Sequence, residues 1–230
     1  MDREISLYGR VAYIATGEFD GEAAVLKLSW TSVDRLPENA AYEILLRDGV
    51  EGISAIFKRG LLIEDFGGFR LEYTIMEFCG EPFSKTILAI QDKRDDDTFT
   101  KAVKSIVNQT TACLVNAFAS GIVHRDISDG NIAVQYDYYD DEAYARIIDW
   151  GYAKDSIFKS KESVEVGEKW CYDSAKVGKN EEEHDPFTGT PRYMSISTLF
   201  GASFRNVMAD IESIFMLYST HCGRSISSVA

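Results

Sequence analysis

The stretch GIVHRDISDGNIAV, Gly121 to Val134, places a histidine, an arginine, two aspartates and an asparagine between apolar runs. Buried ionisable groups are costly unless they are paired or hold a metal. Such a cluster is therefore either a polar turn or a chemical site. Asp126 and Asn131 lie five residues apart, and Asp149 follows eighteen residues later at the end of a second apolar run, in IIDWG. Asn131 and Asp149 offer hard oxygens of the kind that suit Mg²⁺. Lys27, in AVLKLSW, supplies a cation suited to phosphate, and Glu43 a carboxylate to hold its ammonium in a salt bridge. Asp126 is placed to accept or orient the proton of an attacking hydroxyl. Together these types suit phosphoryl transfer, in which positioned cations matter more than covalent chemistry.

Residues so far apart become a site only if the chain folds them together. Up to about Tyr73 the pattern is mainly strands, and VAYIATGEFDGEAAVLKLSW predicts a hairpin turning at Asp20-Gly21. ENAAYEILLRDG, after Pro37, predicts a helix ending at Gly49. From Phe83 the character becomes helical, over Phe83–Ile90 and Phe99–Ser120, with QDKRDDD expected as an exposed loop between them. NIAVQY and YARIIDWG form a predicted hairpin that brings Asn131 and Asp149 together. A long polar segment follows, Lys154 to Pro186, of a length usual for functional or disordered loops. The last predicted helix covers about Met208 to Tyr218.

The spacing in HRDISDGN is that of the protein-kinase catalytic loop, and IIDWG stands where kinases carry Asp-Phe-Gly. TGTPRYMS is similar to the substrate-side end of an activation segment, and DIES, from Asp210, to the start of the helix behind it. The chain resembles the protein-kinase superfamily, and more closely the fungal-specific kinase-like family, through YGR, VLKLSW, HRDIS..N and TGT..YMS. The resemblance implies an α+β, bilobal fold: a strand-rich N-lobe over residues 1–76, a hinge at 77–82 and a helical C-lobe over 83–230. It implies ATP and Mg²⁺ as cofactors. In it Asp126 is the base, Lys27 and Glu43 serve the phosphates, and Asn131 and Asp149 hold the metal. Gly9 lies in the loop over the phosphates, Met76 ends the strand entering the hinge, and the Glu77 and Cys79 backbones meet adenine. Asp210 ties the catalytic loop from below, and His124 packs beneath that loop.

The sequence departs from the kinase pattern in places. Only Gly9 fits the glycine-rich loop, with Glu4 and Ser6 where earlier glycines would fall. Ser128 replaces a lysine and Ser197 a glutamate. The chain ends soon after the helix of Asp210, so a truncated C-lobe is expected. Two rival readings follow: a pseudokinase scaffold without turnover, and a small-molecule phosphotransferase of the aminoglycoside or choline type. Against the second stand Arg125 and TGTPRYMS, features of kinases that bind peptide.

Composition narrows the partners. The formal net charge is −13, with no basic stripe to engage a nucleic-acid backbone. That charge suits a protein substrate, a basic one in particular. No apolar run approaches the ~20 residues needed to cross a membrane. Four cysteines fall into no metal or disulfide spacing, as expected of reduced thiols in an intracellular, cytoplasmic or nuclear protein.

Overall fold

The computed structural model describes residues 12–33, 35–155, 189–195 and 207–226. Gly9, Ser197 and most of the polar segment after Lys154 lie outside the described residues. A strand-rich N-terminal sheet precedes a helical remainder, an α+β kinase-like fold.

β1 (Ala12–Phe19) and β2 (Glu22–Ser32) form the hairpin anticipated at Asp20-Gly21, where φ is 51° and 86°. Those left-handed values match the right-handed twist of the flanking strands. β3 (Ile56–Phe66) and β4 (Phe69–Glu77) complete a four-stranded antiparallel sheet in the order β1-β2-β4-β3. The β2–β4 register sets Lys27 opposite Thr74 and Val25 opposite Met76. Pairs two residues apart share a face, so one face of the sheet carries Val25, Lys27, Ser29 and Thr31.

α1 (Glu38–Arg47) joins β2 to β3, and its buried side chains include Glu38, Ala41, Tyr42 and Leu45. Its C-terminal connector is strapped to the lower half of the molecule. The Gly52 carbonyl accepts a hydrogen bond from the Ile147 N–H at 2.8 Å, and Ile53 bridges Ile147. The core is continuous across this strap, from Tyr42 and Leu45 through Ile53 to Ile106, Leu114, Ile147 and Trp150. Each large apolar side chain buried there contributes about 1.5–3 kcal/mol.

Beyond the sheet, β5 (Glu81–Pro82) leads into α2 (Phe83–Lys93), and α3 spans Asp96–Ala119. QDKRDDD is therefore not one loop. Gln91 to Lys93 extend α2, while Asp95 caps α3 by accepting the Thr98 N–H at 2.8 Å. Acidic residues at a helix start complement its dipole, which is why this run tolerates so much negative charge. β6 (Ile122–Val123) precedes the catalytic-loop residues. The hairpin β7 (Ile132–Asp137) and β8 (Glu142–Ile147) follows, then β9 (Lys154–Asp155) and, later, α4 (Val207–Ile226) packed on α3. Among the described residues no helix is long and apolar enough to cross a membrane.

Gly80 sits where the chain leaves the sheet, at φ +107°, and a Cβ there would run into the Val134 carbonyl. Gly130 has open space around it. Gly80→Ala should therefore cost about 2 kcal/mol or more, and Gly130→Ala within about 0.5 kcal/mol. Urea unfolding monitored by circular dichroism measures both.

Candidate active site

Lys27 is 6% exposed, and its ammonium meets two carboxylates. The Glu38 oxygens lie 2.9 and 2.8 Å from Nζ, and Asp149 Oδ1 lies 2.6 Å away. Burial alone would lower the lysine pKa, but Asp149 and then Glu38 outweigh it and the pKa is raised. The stabilisation is therefore fully present below the ordinary lysine value. It is lost only as pH rises through the raised one.

Glu43 does not take the role expected of it. It lies 3.5 Å from Arg59 Nη2 on a partly exposed surface, and Glu38 is the partner of Lys27. Five residues turn an α-helix by about 140° beyond a full revolution. Glu38 and Glu43 cannot both face the sheet, and the helix start points Glu38 inward.

The loop from His124 to Asn131 hangs from α4. Asp210 is buried and accepts the backbone N–H of His124 at 2.8 Å and of Arg125 at 2.9 Å. Burial raises the Asp210 pKa, against the lowering effect of these two backbone donors. Arg125 adopts φ 73°, rare for a residue with a side chain, and the two bonds to Asp210 hold it there. His124 is fully buried under the loop, as expected. Its Nδ1 accepts the Asp126 N–H at 3.2 Å and its Nε2 donates to the Ile148 carbonyl at 3.1 Å, which fixes the tautomer.

Asp126 is held by three donors. Thr190 gives Oδ1 its N–H at 2.9 Å and its hydroxyl at 3.0 Å, and Asn131 Nδ2 lies 3.2 Å from Oδ2. Asn131 Nδ2 also donates to the Asp126 carbonyl at 2.8 Å, which leaves its amide oxygen free of that bond. Asp149 stands in a left-handed conformation, φ 59° and ψ 62°, directly before buried Trp150. The Trp150 ring packs edge-on at 4.6 Å from His124, and its Nε1 donates to the Ile147 carbonyl at 3.2 Å. Asp149 is thus aimed by its neighbours, and its side chain keeps 37% of its surface exposed.

Near the end of β4, Met76 is buried between Val25 and Ile56. The Glu77 N–H donates to the Ala55 carbonyl at 2.9 Å, and its carbonyl accepts Ser54 Oγ at 3.2 Å. The Cys79 backbone makes no hydrogen bond among the described residues. Glu38, Thr190 and Asp129 are the residues that the sequence reading missed. Asp129 accepts the Ser84 N–H at 2.6 Å and its hydroxyl at 2.7 Å, pinning the catalytic loop to the start of α2.

The donor set fits Mg²⁺ with a nucleotide. Among the described residues no three His, Cys, Asp or Glu side chains cluster in a way that could hold a metal ion. Mg²⁺ characteristically takes one or two protein oxygens, with water and phosphate completing its shell. Asn131 and Asp149 would hold it, and Lys27 would face the phosphates.

The chain matches the fungal protein kinase family over residues 89–222, more than half its length. It belongs to that family. It is also 27% identical over 153 residues to mitogen-activated protein kinase 12 of Danio rerio. Its identity to the Homo sapiens protein of the same name is 28% over 153 residues. Each alignment covers 64% of this chain and 38% of the relative, so the chain spans well under half the length of these relatives.

Removing one partner of a buried ion pair costs about 3–5 kcal/mol, whereas exposed pairs are worth less than about 1 kcal/mol. Glu38→Ala should lower the unfolding free energy in that larger range and Glu43→Ala barely at all. Equilibrium denaturation of the two variants beside wild type reads the difference.

Proposed function

We propose that this kinase-family chain transfers the γ-phosphoryl of ATP to a serine or threonine hydroxyl of a protein. The observation that carries this reading is the grip on Asp126. A carboxylate held by Thr190 on one oxygen and by Asn131 on the other keeps one orientation, as a base that meets a single hydroxyl would need. The same loop ends at Asn131, whose carbonyl accepts the N–H of Ile148, the residue before Asp149 of the Lys27 ion pair, at 3.0 Å.

In this reading Asp126 receives or orients the hydroxyl proton of the substrate. Lys27, steadied by Glu38, neutralises developing phosphate charge, and the buried setting strengthens that effect. Asn131 and Asp149 would hold Mg²⁺, which when bound shields the phosphate oxygens. The Cys79 backbone would meet the adenine edge, with the Glu77 carbonyl beside it and Met76 closing the back of the slot. Gly9 would lie over the phosphates. The −13 net charge favours a protein partner over nucleic acid.

The test is incorporation of labelled γ-phosphate into a basic protein mixture by wild type, Asp126→Asn and Asp149→Asn. General-base catalysis contributes about 10²–10⁴-fold. Asp126→Asn should fall at least about 100-fold while melting within a few degrees of wild type, and Asp149→Asn should fall as well but melt lower, because it also takes one carboxylate from buried Lys27. Equal labelling in all three would overturn the assignment. Folded wild type that labels nothing would favour a scaffold without turnover.

A further inference from the structure

The outer edge of the sheet carries a charge pattern that is its own complement. β3 is the last strand in the order β1-β2-β4-β3, and among the described residues no further strand pairs with it. Its sequence from Phe57 to Phe66 is FKRGLLIEDF. Read from either end, it runs phenylalanine, two charges, one intervening residue and leucine; only the sign changes. Lys58-Arg59 and Glu64-Asp65 lie equally far from the centre at Leu61-Leu62.

This edge is open to a partner. Leu62 is 56% and Phe66 72% exposed, and Phe69, just across the turn, is exposed too. The Trp30 ring lies 6.2 Å from that of Phe66 and extends the apolar surface. An exposed apolar patch rimmed by charge marks an interaction site. Lys58, Glu64 and Asp65 are all exposed. Among the described residues Lys58 and Glu64 join no ion pair, whereas Arg59 meets Glu43 at 3.5 Å. Asp65 uses one carboxylate oxygen to accept the Gly68 N–H at 2.9 Å.

Bulges between Leu61 and Ile63 and between Ile63 and Phe66 break the register against β4. A bulged edge resists a continuous backbone ladder with an arbitrary strand. Recognition there falls to side chains, for which the order of charges matters.

We propose that β3 is a self-association edge, on which a second copy of this chain docks antiparallel about a two-fold axis at Leu61-Leu62. The two apolar centres meet, and Lys58 of each copy faces Glu64 and Asp65 of the other. The occupant is a second copy because the complement of this pattern is the pattern itself. A partner of uniform charge would be repelled by one half of the strand. The net charge of −13 repels two copies at long range, so association needs the local match that this edge supplies. A contact about a two-fold closes on itself and stops at two copies.

Sedimentation equilibrium over a concentration series tests this with wild type, Lys58→Glu, the double variant Glu64→Lys with Asp65→Lys, and an equimolar mixture of the two variants. Wild type should fit a monomer–dimer equilibrium. Each variant alone sets like charges together twice across the axis and should weaken dimerisation about tenfold or more. In the mixture every contact joins opposite charges again, and dimers should return toward the wild-type level. Leu62→Ser keeps every charge and should weaken dimerisation through the apolar centre. All variants should melt close to wild type, because the substituted side chains are exposed. Wild type that stays monomeric, variants that dimerise as well as wild type, or a mixture that stays monomeric would each overturn the proposal. Assembly that grows beyond two copies would overturn it as well.

Discussion

A buried ammonium must be surrounded by negative charge, and in this chain three separate elements meet that demand at Lys27. The lysine comes from β2, Glu38 from the start of α1 and Asp149 from the turn after β8. Stripping water from the lysine costs several kcal/mol unless both carboxylates stand in place. The ion cluster therefore locks α1 against the sheet and ties Asp149 to both. Stability and the geometry of the proposed site depend on the same contacts.

The lower half solves a matching problem with backbone donors. Asp210 reaches up from α4 and holds two successive N–H groups of the catalytic loop, including that of the left-handed Arg125. Asp149 is likewise left-handed, with Trp150 wedged beneath it against His124. Local strain of this kind costs on the order of 1–3 kcal/mol per residue and persists only where surrounding contacts over-determine it. Here it coincides with the ends of the loop and turn that carry Asp126 and Asp149. The strap through Gly52 and Ile53 then makes the sheet and the helical part share one core.

The closeness of Asp126 to Asn131 was legible because the two lie five residues apart in one loop. The Asp20-Gly21 turn and the β7–β8 hairpin were legible for the same local reason. Glu38 was not, because choosing between it and Glu43 depends on which face of α1 meets the sheet, a tertiary outcome. At a helix start Glu38 looks like an ordinary dipole-favouring residue. Thr190 sat in a noticed motif, but its bond to Asp126 joins positions 64 residues apart that no periodicity connects. Asp129 and Ser84, 45 residues apart, were hidden in the same way. The acidic run after α2 misled because negative charge resembles a solvated loop until one residue proves to be a helix cap.

The central claim is that Lys27, Asn131 and Asp149 form one site for nucleotide and metal together. Calorimetric titration of ATP, with and without Mg²⁺, into wild type and Asp149→Asn tests it most directly. The account predicts that Mg²⁺ tightens nucleotide binding by wild type and that Asp149→Asn loses this tightening while remaining folded. Nucleotide affinity that is indifferent to Mg²⁺ in wild type, or a Mg²⁺ effect that survives intact in Asp149→Asn, would contradict it.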